Sequence, residues 1–498
     1  MIREPPVPAG HPVRGWTAKR HRFRGRAIHA SGVAMLTSTL AMYIPDTIVA
    51  PATAPGVGAV AIIRLSGPRA FEILDAIWHP ARAGHPRELV LGDVIDAATR
   101  AHLDRAMAVR FPGPRSFTGE DVAELHCHGG AYLTRRIIAA AVAHGARMAE
   151  HGEFTRRAFL NGRMDLAEAE AVADLISARS ESSLRQALAQ LSGELSKKVN
   201  ELRNKVIAIR AHLEVEIDFS DEDIVIPARS AMIRDLDNVI GDVAILLDSF
   251  SRGKLVRHGV RAAIIGKPNV GKSSLLNLML GTDRAIVTAI PGTTRDVIED
   301  TVALGGFAMT LLDTAGIRAG RDELERLGIA RTRAVAAAAD LLIAVFDSSR
   351  ALDAEDFAIV GLCAERPGLA ILNKADLPKV ADVLALRAAG IAMPALEISA
   401  LTGDGLAALR DELTRAVAAI VAPDGASGLA ISRERHRAAL ARALTALRAA
   451  RESIAARMPP EITAVDAMAA CDALGAITGA VTGEDVLDAV FREFCIGK

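Results

Sequence analysis

The residues best placed to do chemistry are Gly266-Lys267-Pro268-Asn269-Val270-Gly271-Lys272-Ser273-Ser274, which fit the phosphate-loop spacing G-x-x-x-x-G-K-[ST]. In such a loop, backbone N–H groups and the positive end of the following helix wrap phosphate oxygens. Lys272 reaches the β- and γ-phosphates, and the hydroxyl of Ser273 ligates Mg²⁺. Asp313-Thr314-Ala315-Gly316 supplies a carboxylate for Mg²⁺ through water and a backbone N–H for the γ-phosphate. In Asn373-Lys374-Ala375-Asp376, the carboxylate of Asp376 can accept the ring N–H and exocyclic amine of guanine. Adenine lacks that donor pair, and an unpaired buried carboxylate is costly. Ser399-Ala400-Leu401 adds a backbone contact to the base. All four in this order imply a hydrolase of GTP. Pro291-Gly292-Thr293-Thr294-Arg295-Asp296 lies in the first switch region, with Thr294 the second hydroxyl for Mg²⁺, and Thr288-Ala289-Ile290 just before it join the GTP contacts. Ile317 stands where Ras-like enzymes orient water with Gln, so another group must do so.

These motifs need strands to end at them and a helix to start from one. The apolar runs Arg261–Ile265, Met309–Leu312, Leu369–Leu372 and Leu396–Ile398 read as the strands, and Ser274–Leu280 as the helix after the phosphate loop. Upstream, 59–65, 104–111 and 121–127 read as strands, with helices over 68–78 and 131–144 and a loop over 111–119. Residues 166–217 have apolar spacing at i, i+3, i+4 and read as one long helix of a bundle rather than a coiled coil. A further helix runs to about 250, and helices return over 429–456, 460–474 and 484–495, the last with a capping signal in Thr482-Gly483-Glu484-Asp485. The expected fold class is α/β plus all-α. A small N-terminal α/β domain spans 43–163, and a helical bundle is split into 164–258 and 422–498. A Ras-like G domain, 259–421, is inserted between the halves.

Composition sets limits. Of 498 residues, 50% are hydrophobic and 24% charged, which excludes bulk disorder. No uncharged run of 18 apolar residues occurs, so a membrane span is excluded. The net charge is −1 and aromatics make up 3%, which argues against a free-standing nucleic-acid coat or base-stacking platform. The four cysteines, Cys127, Cys363, Cys471 and Cys495, are scattered and suit a reducing compartment. Within 1–41, Arg3, Arg14, Lys19, Arg20, Arg22, Arg24 and Arg26 face only Glu4. That segment reads as a disordered basic extension or a mis-called start, with a mitochondrial transit peptide as the alternative. The expected location is accordingly cytoplasmic and bacterial-type, with mitochondrial the minor alternative.

The inserted nucleotide domain, the segment Thr47-Ile-Val-Ala-Pro-Ala-Thr-Ala-Pro-Gly56, the loop 111–121 and the C-terminal Phe494-Cys495-Ile496-Gly497-Lys498 together resemble the MnmE (TrmE) family of tRNA-modification GTPases. The resemblance covers about 43–498. It implies a folate-binding N-terminal domain that also makes the homodimer, a helical domain and a potassium-stimulated G domain. It implies a heterotetramer with an FAD-dependent partner, MnmG, that adds an aminomethyl-type group to C5 of the wobble uridine of tRNA. The carbon comes from 5-formyl- or 5,10-methylene-tetrahydrofolate. By the same resemblance Asn269, Thr288, Ile290 and Thr293 hold K⁺, and Glu325 acts on the attacking water. Arg64, Glu124, Arg163 and Lys498 take the folate, Glu124 suiting a pterin's N–H edge and the cations its glutamate tail. A ribosome-assembly or translation-type GTPase switch is the competing reading; it lacks an evident RNA-binding appendage.

Three weaker signals have bland readings. His126-Cys127-His128 looks metal-like, but on a strand Cys127 points away from both histidines. Cys495 reads either as a reactive, folate-adjacent thiol or as a packed helix-end cysteine. Arg433-Glu434-Arg435-His436-Arg437 reads as a solvated face.

Overall fold

In a computed structural model, the protein is described over residues 46–96, 99–218, 228–283, 300–312, 328–364, 366–422 and 428–498. The basic segment 1–41, residues 288–294, 313–316 and Glu325 lie outside the described residues.

Seven strands form the first sheet: β1 (Thr47–Pro51), β2 (Gly58–Ser66), β3 (Trp78–Pro80), β4 (Val90–Ile95), β5 (His102–Phe111), β6 (Val122–Gly129) and β7 (Ala146–Met148). Their order is β3-β4-β5-β6-β2-β1-β7, with only β1 and β7 parallel. Side chains alternate inward and outward, as in Val90, Gly92 and Val94 (buried) against Leu91 and Asp93 (exposed). The inward set packs under α1 (Ala70–Ile77) and α2 (Ala131–Ala143) through Ile73, Leu74, Ile77, Ile137 and Ala141. The opposite face exposes Val60, Leu91 and Met107. After β7 comes α3 (Glu153–Leu160).

Five helices follow: α4 (Leu166–Ser177), α5 (Glu181–Leu191), α6 (Glu194–Asp218), α7 (Arg229–Asp248) and α8 (Phe250–His258). The single helix expected over 166–217 is thus three. Ser180 starts α5 with a reciprocal cap to Ser183, and Gly193 takes a left-handed turn before α6. Leu184 and Leu188, which the regular spacing placed on the core stripe, are exposed, whereas Leu195, Val199, Leu202 and Val206 are buried.

The second sheet comprises β8 (Val260–Ile265), β9 (Asp300–Leu304), β10 (Phe307–Leu311), β11 (Leu341–Asp347), β12 (Gly368–Asn373) and β13 (Ala395–Glu397), ordered β13-β12-β11-β8-β10-β9. All pairs are parallel except the β9–β10 hairpin. With α9 (Lys272–Asp283), α10 (Gly328–Ala338), α11 (Ala354–Cys363), α12 (Val383–Ala388) and α13 (Leu406–Val421), it carries apolar cores on both faces. This is why β11 is buried along its whole length.

The chain then returns through α14 (Glu434–Ala455), α15 (Pro460–Thr478) and α16 (Glu484–Phe491). Helices α6, α7, α14 and α15 share one apolar core. The capping signal expected at Thr482–Asp485 is not used: Gly483 is the N-cap, without a side-chain bond, and the Thr482 hydroxyl is buried unpartnered. No helix among the described residues is long and apolar enough to cross a membrane.

Candidate functional site

The phosphate loop sits between β8 and α9. Asn269 and Gly271 both have positive φ, +62° and +97°, which curls the backbone toward the start of the helix. A Cβ at Gly271 would stand 2.0 Å from Asn373 Nδ2, so only glycine fits there. Lys272 Nζ donates to the carbonyls of Gly266 (2.9 Å) and Lys267 (2.6 Å), and burial lowers its pKa. A cation already stripped of water and lying across the loop is what a phosphate group would meet. Ser273 and Ser274 are exposed in the first turn of α9.

The Asn373–Asp376 loop is tied to the phosphate loop. Asn373, 2% exposed at the end of β12, donates its Nδ2 to the Val270 carbonyl at 2.7 Å and accepts the Ala400 N–H at 2.9 Å. Asp376 accepts from Ser399 Oγ at 2.5 Å, and the Ala375 N–H donates to Ile398 O. Lys374, at φ +67°, reaches Asp347 Oδ2 at 2.6 Å. Asp376 and Leu401 are exposed, leaving an open shelf over the loop. Thus Val270, Asn373, Asp376, Ser399 and Ala400 converge from three loops. Asp347 is a contributor that the motif reading missed; its only sequence signal is a carboxylate closing an apolar strand.

A second constellation lies in the first sheet. Arg64 on β2 and Glu124 on β6 are register partners, and Arg64 Nε and Nη2 grip Glu124 Oε1 at 2.9 and 2.8 Å. The Arg64 guanidinium lies 5.7 and 5.8 Å from the rings of Phe117 and Phe154. The C-terminal tail comes to this pair from the far end of the chain. His151 Nδ1 lies 2.9 Å from the Phe494 carbonyl, the Gly152 N–H donates to Cys495 O, and the Phe154 N–H donates to Lys498 O at 3.2 Å. Burial, together with the positive charge of Arg64, lowers the pKa of Lys498. Arg64, Glu124 and Lys498 are therefore brought together: one carboxylate and two cations beside two aromatic rings. Arg163 packs its stem along Gly119, in the loop that carries Phe117, and none of the bonds among the described residues joins it to the other three.

Two matches decide the family. The model described as "GTP-binding protein TrmE N-terminus" fits residues 47–163, and that described as "MnmE helical domain" fits 166–495. The chain belongs to the MnmE (TrmE) family of tRNA modification GTPases. It is similar to the tRNA modification GTPase MnmE of Heliobacterium modesticaldum, at 42% identity over 91% of this chain and 100% of that one. It is also similar to the MnmE proteins of Akkermansia muciniphila (44% identity, 91% of this chain, 99% of that one) and Moorella thermoacetica (43%, 91% and 100%). As a member of the MnmE family the chain is a GTP hydrolase, which agrees with the linked phosphate and guanine loops.

Two of the weaker signals resolve in the structure of this MnmE member, while Cys495 is half-buried and keeps both of its readings. Cys127 is buried, bonds the Ala61 carbonyl, and is pushed by burial up to about 11, which makes it a packing residue. His126 and His128 turn to Glu124 and Asp104, and no cluster of metal-ligating side chains exists among the described residues. The 433–437 run is a solvated face only at Glu434 and Arg437, which are exposed and pair with each other. Arg433 is 6% exposed and bonds Asp174 and Glu493, Arg435 grips Glu170, and the ring of His436 is fully buried against Glu170 at 2.7 Å. Burial would raise Glu170's pKa, but His436 and Arg435 outweigh it and hold the carboxyl below its usual range. The acids that hold Arg433 and Arg435 lie some 260 residues upstream, at Glu170 and Asp174, and 60 residues downstream, at Glu493, beyond the reach of local charge counting.

Proposed function

We propose that the protein is the GTP-driven component of a complex that modifies C5 of the wobble uridine in tRNA, using a tetrahydrofolate one-carbon unit. The observation that carries this reading is the seating of the C-terminal Lys498 beside Arg64 and Glu124. Glu124 offers an acceptor for a pterin's N–H edge, Arg64 and Lys498 offer cations to a carboxylate-bearing ligand, and Phe117 and Phe154 supply flat apolar walls. Arg163 would join this set by moving along the loop at Gly119. Folate so held, as the 5-formyl or 5,10-methylene form, would supply the carbon.

In the G domain (259–421), Lys272 and the loop amides would cradle the phosphates, while Asp376, Ser399 and Ala400 read guanine. Ser273 and Thr294 would hold Mg²⁺, and Asn269, Thr288, Ile290 and Thr293 would hold K⁺, the positive charge other GTPases draw from an arginine finger. Glu325 would act on the attacking water, where Ile317 cannot. The exposed apolar face bearing Val60, Leu91 and Met107 supports dimerisation through the N-terminal domain (43–163). An FAD-dependent partner, MnmG, would supply redox chemistry and hold the tRNA, consistent with the acidic balance of residues 42–498.

The test is equilibrium binding of 5-formyl-tetrahydrofolate to the full chain and to a variant lacking Lys498. The full chain is used because the tail completes the site. Binding that weakens about tenfold or more without Lys498, the loss of one charge-assisted contact, supports the reading. No binding by the intact chain contradicts it.

A further inference from the structure

Both connections between the second sheet and the helices meet at one carboxylate. Arg257, in the last turn of α8 just before β8, donates its Nε to Asp174 Oδ1 at 2.8 Å. Arg433, the residue from which α14 starts after the return, donates Nη2 to the same oxygen at 2.8 Å. Asp174 is 8% exposed near the end of α4. The entering and returning segments also touch each other, since the Ile431 N–H donates to Ser249 Oγ at 3.1 Å.

The same cluster holds the tail. Glu493 accepts from Arg433 Nη1 at 2.9 Å and lies 3.9 Å from Arg257 Nη2, and the next residue begins the tail that delivers Lys498. Leu166 and Ala169, on α4 itself, pack against Phe491 and Phe494. On the sheet side, Ser182 at the start of α5 donates its N–H (2.9 Å) and Oγ (2.8 Å) to Gly306 O, in the turn of the β9–β10 hairpin. In chain order that hairpin falls between the segment that the sequence assigns to the first switch region, 288–294, and the one it assigns to the γ-phosphate, 313–316. An open cavity of about 690 Å³, with Lys254, Arg257, Arg433 and Glu493 among its lining, lies beside the cluster and gives these side chains room to exchange partners.

We propose that Asp174, Arg433 and Glu493 are positioning residues: they make the seating of the C-terminal tail, and so of Lys498, depend on the nucleotide held by the second sheet. The physical reason is the cost of a buried guanidinium without a carboxylate. A shift of the second sheet reaches Arg257 directly through β8, Arg257 shares Asp174 Oδ1 with Arg433, and Glu493 must follow Arg433 or lose it. Packed, paired groups of this kind change between discrete arrangements rather than stretching, which makes the joint a two-state element. The inference rests on the folate reading only for what Lys498 does once seated.

The test is hydrogen exchange of the Phe154 amide and of the tail amides in the full chain, with GDP and with a non-hydrolysable GTP analogue. In the wild type the protection of these amides should differ about fivefold or more between the two states, the low end of coupling between sites. Glu493 is 56% exposed, so Glu493→Gln should fold normally. It should keep its melting temperature and GTP affinity while the ratio between states falls below about twofold. Asp174→Asn should also reduce the ratio; where that buried change prevents folding, Glu493→Gln decides alone. Equal protection of the wild type in both states, or a full ratio retained in Glu493→Gln, overturns the proposal. A chain that ignores 5-formyl-tetrahydrofolate yet shows the nucleotide-dependent ratio overturns the folate reading and leaves the joint standing.

Discussion

Asn373 Nδ2 donates to the Val270 carbonyl at 2.7 Å, so the loop proposed to read the base and the loop proposed to cradle the phosphates share one side chain. Its Oδ1 holds the Ala400 N–H at 2.9 Å, which brings in the third loop. Asn373→Ala leaves a buried carbonyl and a half-buried N–H unpaired, at a cost of about 1–3 kcal/mol for the buried one and less for the other. GTP affinity measured by titration should fall about tenfold to a hundredfold, since 1.4 kcal/mol is one decade. An affinity within twofold of wild type would mean that the loops are held together by other contacts.

Gly497 has φ +97°, and a Cβ there would stand 2.0 Å from the Pro51 carbonyl oxygen. Gly497→Ala must therefore push the tail out of its seat. Binding of 5-formyl-tetrahydrofolate should weaken about tenfold or more, as on removing Lys498, while GTP affinity stays within about twofold. Paired titrations of the two ligands check this; loss of both affinities together would point to general unfolding instead.

Acid should loosen the first sheet. Burial alone would raise the pKa of Asp46 and Glu153, but Arg147 and Arg157 outweigh it and hold both carboxyls below their ordinary values of 3.8 and 4.5. A depressed carboxylate contributes stability above its unfolded pKa and loses it as pH falls through the folded one. The contribution is thus full above about pH 5, shrinks as pH falls below the ordinary values, and is gone only once pH has passed below both lowered pKa values. Arg157 is 2% exposed between these acids, so Arg157→Met should destabilise the sheet by about 3 kcal/mol at neutral pH. It should also flatten the acid limb. Amide exchange of β1 and β6 against pH reads both effects.

Glu170 is 1% exposed and takes Arg435 through both oxygens as well as His436. Glu170→Gln removes the charge and leaves a buried guanidinium short of its partner, which costs about 3–5 kcal/mol. Thermal unfolding should show a fall of several degrees. An unchanged midpoint would mean that Arg435 is satisfied by the carbonyls of Ala476 and Ile477 that it already bonds.

What the sequence could state was what is local in it. The phosphate loop, Asn373–Asp376 and Ser399–Ala400 are contiguous runs after apolar strands, so spacing alone identified them, and the strands ended where the motifs required. Arg64, Glu124 and Lys498 are different. Strand register pairs the first two across 60 residues, and only the return of the tail to His151 and Gly152 adds the third. Periodicity failed at 166–217 because Ser180 and Gly193 reset the helix phase without breaking the count of apolar residues. The charge run at 433–437 misled because its partners, Glu170 and Asp174, are remote in sequence and near in space.

The most direct measurement is nucleoside analysis of tRNA from bacteria that lack their own member of the family and express this chain. The account predicts that the C5-modified wobble uridine reappears with the wild type and stays absent with Gly497→Ala or Asn373→Ala. Unmodified uridine in cells holding a folded, GTP-hydrolysing wild-type chain would contradict it.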